Sequence, residues 1–254
     1  NQHAGSDSGR SVYQNHRHEI TGMNGVFKQI KWQFLIFQRN NLITMIVGIT
    51  AFYVCVIYFI KDFAGVEKFI TLLIYNDPAL VGFIFIGISL ILEKDQEVLP
   101  ALFVTPLNHH IYLISRIITL SAIGFIGAFS IVLTAKGISF NFLHFSVGAF
   151  STCVLFCLMG IFVVRYTTEI LHFLLRAVPL LIFMSLPLLN YFELTDLSFL
   201  KLFPVQGGLN LMVNSYRESP RLSELIFGYI SIAVWTPLLY WFVYRIFISR
   251  MVRI

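Results

Sequence analysis

Four charges fall within five residues at Glu93-Lys94-Asp95-Gln96-Glu97, and the chain then continues Val98-Leu99-Pro100-Ala101-Leu102-Phe103-Val104-Thr105-Pro106-Leu107-Asn108. Leu99, Leu102, Phe103 and Leu107 recur at spacings that align apolar side chains along one side of a short helix. The chemistry on offer is docking: apolar area to bury in a partner, and carboxylates to pair with basic groups. Bond-making chemistry has no comparable candidate. The sequence contains no HExxH, no GxSxG and no dense set of metal ligands. It also lacks a GxxxxGK[ST] phosphate loop, so neither a metal nor a nucleotide is expected on this chain.

The elements that hold this segment belong to a membrane. Hydrophobic residues make up 57% of the 254 residues, charged residues 12%, and the mean hydropathy is +0.78. Soluble domains carry about 25% charged residues. The composition therefore excludes a soluble globular domain and predicts an all-α integral membrane protein, with the lipid bilayer as a partner and no nucleic acid. The three cysteines, Cys55, Cys153 and Cys157, all lie in apolar runs, and Cys153 and Cys157, four apart on one helix face, read as buried thiols rather than a disulfide or metal pair.

A span needs about 20 mostly apolar residues, and six stretches qualify: 42–60, 69–92, 111–133, 142–164, 170–189 and 225–248. Within the second, Asn76-Asp77-Pro78 predicts an interruption, with Asp77 as an N-cap and Pro78 in the first turn of the main helix. Before the spans, residues 1–22 are polar and predict a mobile tail. No secretory signal is read there, because the apolar run begins late and no small-residue cleavage site follows it. Residues 23–254 form the six-span domain. Its first segment carries Phe27, Ile30, Phe34 and Phe37 at helical spacing, with Lys28 and Lys31 elsewhere on the wheel and Trp32 as an anchor. That pattern predicts an amphipathic helix lying in the interface; the alternative is the polar end of span one.

Lysine and arginine counts set the orientation. With the N-terminus inside, the inner segments hold Arg10, Arg17, Lys28, Lys31, Arg39, Lys94, Arg116, Arg165, Arg245, Arg250 and Arg253. The outer segments hold Lys61, Lys68, Lys136, Lys201, Arg217 and Arg221. The bias places both termini and the 93–108 segment in the cytoplasm of a multi-pass cell-membrane protein. The last outer connection, 190–224, contains two apolar pieces, 197–203 and 209–213, each too short to cross, separated by Pro204-Val205-Gln206-Gly207-Gly208. Two short re-entrant helices fit; an ordinary surface loop with two anchoring patches is the alternative.

Ionisable groups are scarce within the spans. Arg176 is read as snorkelling from span five to the near interface, and Asp77 lies near the outer end of span two. His109 and His110 read as solvated at the start of span three, with His144 and His172 as packing or interfacial residues. Ion-coupled carriers need intramembrane relays, and this scarcity disfavours them. Work must then arrive from another chain through the cytoplasmic surface.

Six spans, an interfacial N-terminal helix, an acidic first cytoplasmic loop ending Val104-Thr105-Pro106-Leu107, and a split connection before the last span together resemble the type-two ATP-binding-cassette exporter permeases. That family's typical run reads Glu-Arg-Glu-x-Gly-Thr-Leu-Glu-x-Leu-Leu-Val-Thr-Pro-Leu-Ser. Glu93, Leu99, Leu102, Val104, Thr105, Pro106 and Leu107 match it; Lys94 and Asp95 match in charge, and Asn108 is a conservative change. Glu97 replaces the usual Gly and Pro100 the usual Glu.

The resemblance implies a coupling helix over 99–107 seated in a separate nucleotide-binding subunit, which supplies the ATP and magnesium. Leu99, Leu102 and Phe103 would bury apolar area there, and Glu93, Asp95 and Glu97 would pair with bases. Thr105 would cap and Pro106 would start the next helix. It further implies a second permease copy or a homologue, and an amphipathic or hydrophobic substrate such as a drug, a lipid-linked compound or a membrane-active peptide. A membrane anchor or scaffold that recruits a cytoplasmic protein and moves nothing is the alternative reading.

Overall fold

The computed structural model describes residues 23–61, 63, 66–96, 109–167, 169–195, 197–217 and 219–248. The tail predicted over 1–22 lies outside the described residues. So does the predicted coupling segment, with Glu97, Leu99, Leu102, Phe103, Val104, Thr105, Pro106 and Leu107. All regular structure among the described residues is helical. Six helices are long and apolar enough to cross a membrane: Leu42–Ile60, Lys68–Asp95, His109–Lys136, Phe142–Val164, Ile170–Tyr191 and Leu222–Phe247. These are spans one to six below.

Spans one and four have the bounds predicted from their uninterrupted apolar runs. Span five is bent rather than straight: Ile170–Ser185 ends at Leu186, and a short turn, Pro187–Tyr191, restarts it. Span two differs most from expectation. The helix Glu67–Leu80 runs through Pro78, widens into a π turn at Val81–Phe85, and continues as Ile86–Asp95. The Val81 N–H reaches the carbonyls of both Asp77 and Pro78. Asn76-Asp77-Pro78 therefore does not start a helix, and Asp77 is not a cap. The helix thus passes Pro78 without a break, as a span in lipid must to keep its other backbone groups paired, and the wider turn follows three residues later.

Spans two and four form the centre. Within their most apolar windows 67% and 72% of residues are buried, against 11% for span one and 22% each for spans five and six. Small residues let the two central backbones meet. A Cβ on Gly82 of span two would lie 2.5 Å from the Cys153 carbonyl oxygen of span four, so a side chain there cannot be accommodated without moving backbone. Phe83 packs edge-on against Phe156 and stacks on Phe173, which ties span five to this centre. Cys153 and Cys157 are fully buried free thiols, as predicted, whereas Cys55 on span one is exposed.

The 190–224 connection holds a 3-10 turn, Ser198–Leu202, and a helix, Gln206–Ser215. The helix is longer than the predicted apolar piece because Gln206-Gly207-Gly208, read as a breaker, forms its first turn. These glycines serve close packing. A Cβ on Gly208 would lie 2.0 Å from Thr152 Oγ1 on span four, and one on Gly207 2.8 Å from the Gly228 carbonyl of span six. Leu209, Leu211 and Met212 are buried between the two spans. The Asn141 N–H, at the start of span four, donates to the Ser215 carbonyl at 2.7 Å.

Candidate functional site

The segment 97–108 joins the end of span two to the start of span three, and its two anchors are covered by one buried polar cluster. Glu93 occupies the last turn of span two. Tyr112 and Arg116 are four residues apart on span three, so a helix places them on one face. Glu93, Tyr112 and Arg116 are all essentially inaccessible, at 1%, 1% and 0% exposure. Both the Tyr112 hydroxyl and Arg116 Nη1 reach Glu93 Oε2 at 2.5 Å, and Arg116 Nη1 also donates to the Tyr112 hydroxyl. The carboxylate thus receives one neutral and one charge-assisted bond, the strong kind.

Neighbouring helices close the cluster. The Arg116 guanidinium lies 5.6 Å from the ring centroid of Phe37, on the N-terminal helix Met23–Arg39. It also lies over the Tyr112 ring, and Tyr112 stacks on Phe247 near the end of span six. The N-terminal helix buries Gln33 and Phe37, four residues apart on one face. A single guanidinium therefore joins spans two and three to the N-terminal helix. Nε and Nη2 of Arg116 and Oε1 of Glu93 have no hydrogen-bond partner among the described residues.

Arg116 is a correction to the charge count, which placed it in an inner segment, whereas its side chain is buried within the bundle. Its side chain is turned into the bundle because span three starts at His109, placing Arg116 two turns inside the helix. Tyr112 was also missed. The signal available was the pairing of opposite charges on the two helices that flank one short connection, Glu93 before it and Arg116 after it. Of the three acidic residues expected to face a partner, Glu93 is turned inward onto Arg116, Asp95 is exposed, and Glu97 lies outside the described residues.

Along the N-terminal helix, Phe27, Trp32 and Phe34 are exposed, as are Lys28 and Lys31. Three of the large apolar rings thus face outward with the lysines, while the buried face carries Gln33 and Phe37. His110 is not simply solvated: its ring stacks on Tyr244 at 3.6 Å and its Nδ1 lies 2.9 Å from the Tyr240 hydroxyl. His144 meets the Tyr229 hydroxyl at 2.7 Å, and His172 lies 3.2 Å from Glu169. Arg176 is exposed and donates to the Tyr166 carbonyl just past span four, the direction expected of a snorkelling side chain. Among the described residues no group of three or more His, Cys, Asp or Glu could hold a metal.

At the opposite end of the bundle a second joint ties the Gln206–Ser215 helix to span six. The Asn214 amide donates to Glu224 Oε2 at 2.9 Å, and its Oδ1 accepts from the Arg221 N–H at 3.0 Å. Arg217 and Arg221 each pair with Glu224 at 3.1 Å. The Tyr191 and Tyr216 hydroxyls both donate to Thr71 Oγ1 at 2.9 Å, joining the end of span five and the end of this helix to span two. Two apolar clefts open on the flanks. One, of about 430 Å³, lies between spans one and three; the other, of about 580 Å³, lies among spans three, four and six.

Six apolar helices, two of them forming the centre, with polar joints at each end, define a multi-pass integral membrane protein. The chain belongs to the fluoroquinolones export permease protein family, whose model matches residues 27–253. Among curated proteins it is similar to the fluoroquinolones export permease proteins of Mycobacterium tuberculosis strains CDC 1551 / Oshkosh and ATCC 25618 / H37Rv. It is 28% identical to each over 138 residues, which are 54% of this chain and 58% of each relative. The match thus spans little more than half the length of these relatives. No solved structure matches the chain.

Proposed function

We propose that the chain is the transmembrane subunit of an ATP-driven exporter that moves an amphipathic or hydrophobic molecule, drugs among them, out of the cytoplasm or inner leaflet. A separate ATPase subunit docks on residues 97–108 and supplies ATP and magnesium; a second permease copy or a homologue completes the pathway. The observation that carries this reading is the buried Glu93–Tyr112–Arg116 cluster. It ties the end of span two to the start of span three and to the N-terminal helix, which supports a reading in which force applied at the connection between those spans moves helices as a unit. The family membership and the relatives' printed names favour drugs as cargo.

Finer features follow from the same reading. The lysine and arginine distribution favours cytoplasmic termini. Exposed Phe27, Trp32 and Phe34 beside Lys28 and Lys31 favour an interfacial N-terminal helix. Burial of the Gln206–Ser215 helix between spans four and six favours a re-entrant position, since backbone at membrane depth must be covered by protein or water. The test is to purify the chain with its candidate ATPase and replace Leu102 and Phe103 by charged residues. Loss of the complex and of stimulated ATP turnover is expected; a complex and turnover that both survive unchanged overturn the coupling assignment. ATP-dependent uptake of a labelled drug into inverted vesicles separates export from a scaffold that moves nothing.

A further inference from the structure

Asp77 sits inside the bundle with half of its carboxylate unused. It is 0% exposed. Oδ1 accepts a bond from Thr50 Oγ1 of span one at 3.2 Å, while Oδ2 has no hydrogen-bond partner, and no ion pair reaches the carboxylate among the described residues. An ionised carboxylate held this way is expensive, because one hydroxyl replaces little of its hydration. Acidic groups placed within spans mark functional sites by default, and a π turn that begins one helical turn later, at Val81, is a second mark of the same kind.

The surroundings show where a compensating charge would enter. The 430 Å³ cleft between spans one and three is walled by apolar side chains, among them Ile46, Val47, Ile123 and Ile126, and by Thr50 and Gly127. Thr50 is the residue that holds Oδ1. Gly127 is the thin point of the wall: a Cβ there would lie 2.4 Å from Asp77 Oδ2 and 2.9 Å from Thr50 Oγ1. The unused oxygen therefore packs against Gly127, a residue of the cleft wall. Span one, which carries Thr50, is the least buried span, so its displacement would uncover Oδ2 at the smallest loss of packing. The volume suits a drug-sized ligand, and an apolar chamber with a few convergent polar groups, here Thr50, Ser130 and the Asp77 carboxylate behind Gly127, is the usual form of such a site.

We infer that this cleft binds lipophilic ammonium compounds, with the apolar body against Ile46, Val47, Ile123 and Ile126 and the protonated amine on Asp77 Oδ2 past Gly127. This deepens the exporter reading and rests on it, since it names the class of cargo: a greasy molecule carrying a basic nitrogen. The cation supplies the counter-charge that the folded chain withholds from Asp77.

The test uses the full chain in lipid nanodiscs, without ATPase or ATP, and two probes: a fluorescent aromatic tertiary amine and its uncharged carbon isostere. The amine is expected to bind at least about tenfold more tightly than the isostere. Asp77→Asn removes that preference while leaving affinity for the isostere unchanged, and Asp77→Glu restores part of it. An amine that binds no better than the isostere, or equally well to Asp77→Asn, overturns the site, including the case in which a second copy of the chain covers the cleft. Should Asp77→Asn not fold, carbodiimide labelling of native Asp77, followed by mass spectrometry, decides. Protection by the amine and not by the isostere supports the site; equal labelling in both overturns it and leaves Asp77 a proton site. Binding with no ATP-driven export would instead sink the exporter reading and spare the site.

Discussion

The joint at the Asp95 end of the bundle and the joint at the Glu224 end use the same side-chain types to opposite effect. Glu93 and Arg116 meet with side chains 1% and 0% exposed, whereas Glu224 is 30% exposed and its partners Arg217 and Arg221 are 37% and 70% exposed. Screening leaves an exposed pair about 0–1 kcal/mol. A buried pair gains little net stability over apolar residues of the same shape, yet removing one partner strands a charge and costs about 3–5 kcal/mol. Burial thus turns an ion pair from a minor adhesive into an all-or-none connection. The molecule places that connection between the facing ends of spans two and three, beside the segment proposed to dock an ATPase.

Three substitutions probe this contrast, from the largest expected effect to the smallest. Arg116→Met leaves Glu93 buried and unpaired, and thermal unfolding in detergent is expected to show a loss of about 3–5 kcal/mol. Adding Glu93→Leu should bring stability back to within about 1 kcal/mol of the native chain. If the double variant remains as unstable as the single, shape and not charge governs the joint. Tyr112→Phe removes one donor and leaves the ion pair, for an expected cost of about 1–2 kcal/mol. Glu224→Gln at the other end should cost no more than about 1 kcal/mol, less still at high salt. A larger loss for Glu224→Gln than for Tyr112→Phe would reverse the comparison.

Much of this arrangement was legible in the residue order, and the parts that were not share one cause. Spans one and four are uninterrupted apolar runs with polar punctuation, and their ends follow from that alone. Pro78 and Gly207-Gly208 are local signals of a break, yet each sits inside a helix, because lipid and close neighbours set the terms there. An unpaired backbone group within the bilayer is costlier than a distorted turn, and a missing side chain is an asset where two helices must touch. Arg116 was counted with the inner segments for a related reason. Spacing shows which residues share a face, but only the packed partner, here Glu93 and the Phe37 ring, shows whether that face is wet. The Val104-Thr105-Pro106-Leu107 run carried the family resemblance, while the orientation of Glu93 depended on a residue 23 positions away.

The unequal burial of the three thiols has an experimental consequence. Cys153 and Cys157 are shut inside span four, while Cys55 is exposed on span one, one residue beyond Val54 in the wall of the smaller cleft. A membrane-permeant maleimide should therefore mark the native chain at a single place. The protein carries its own attachment point for a spectroscopic reporter, on the helix whose displacement would open the route to Asp77, with no residue changed.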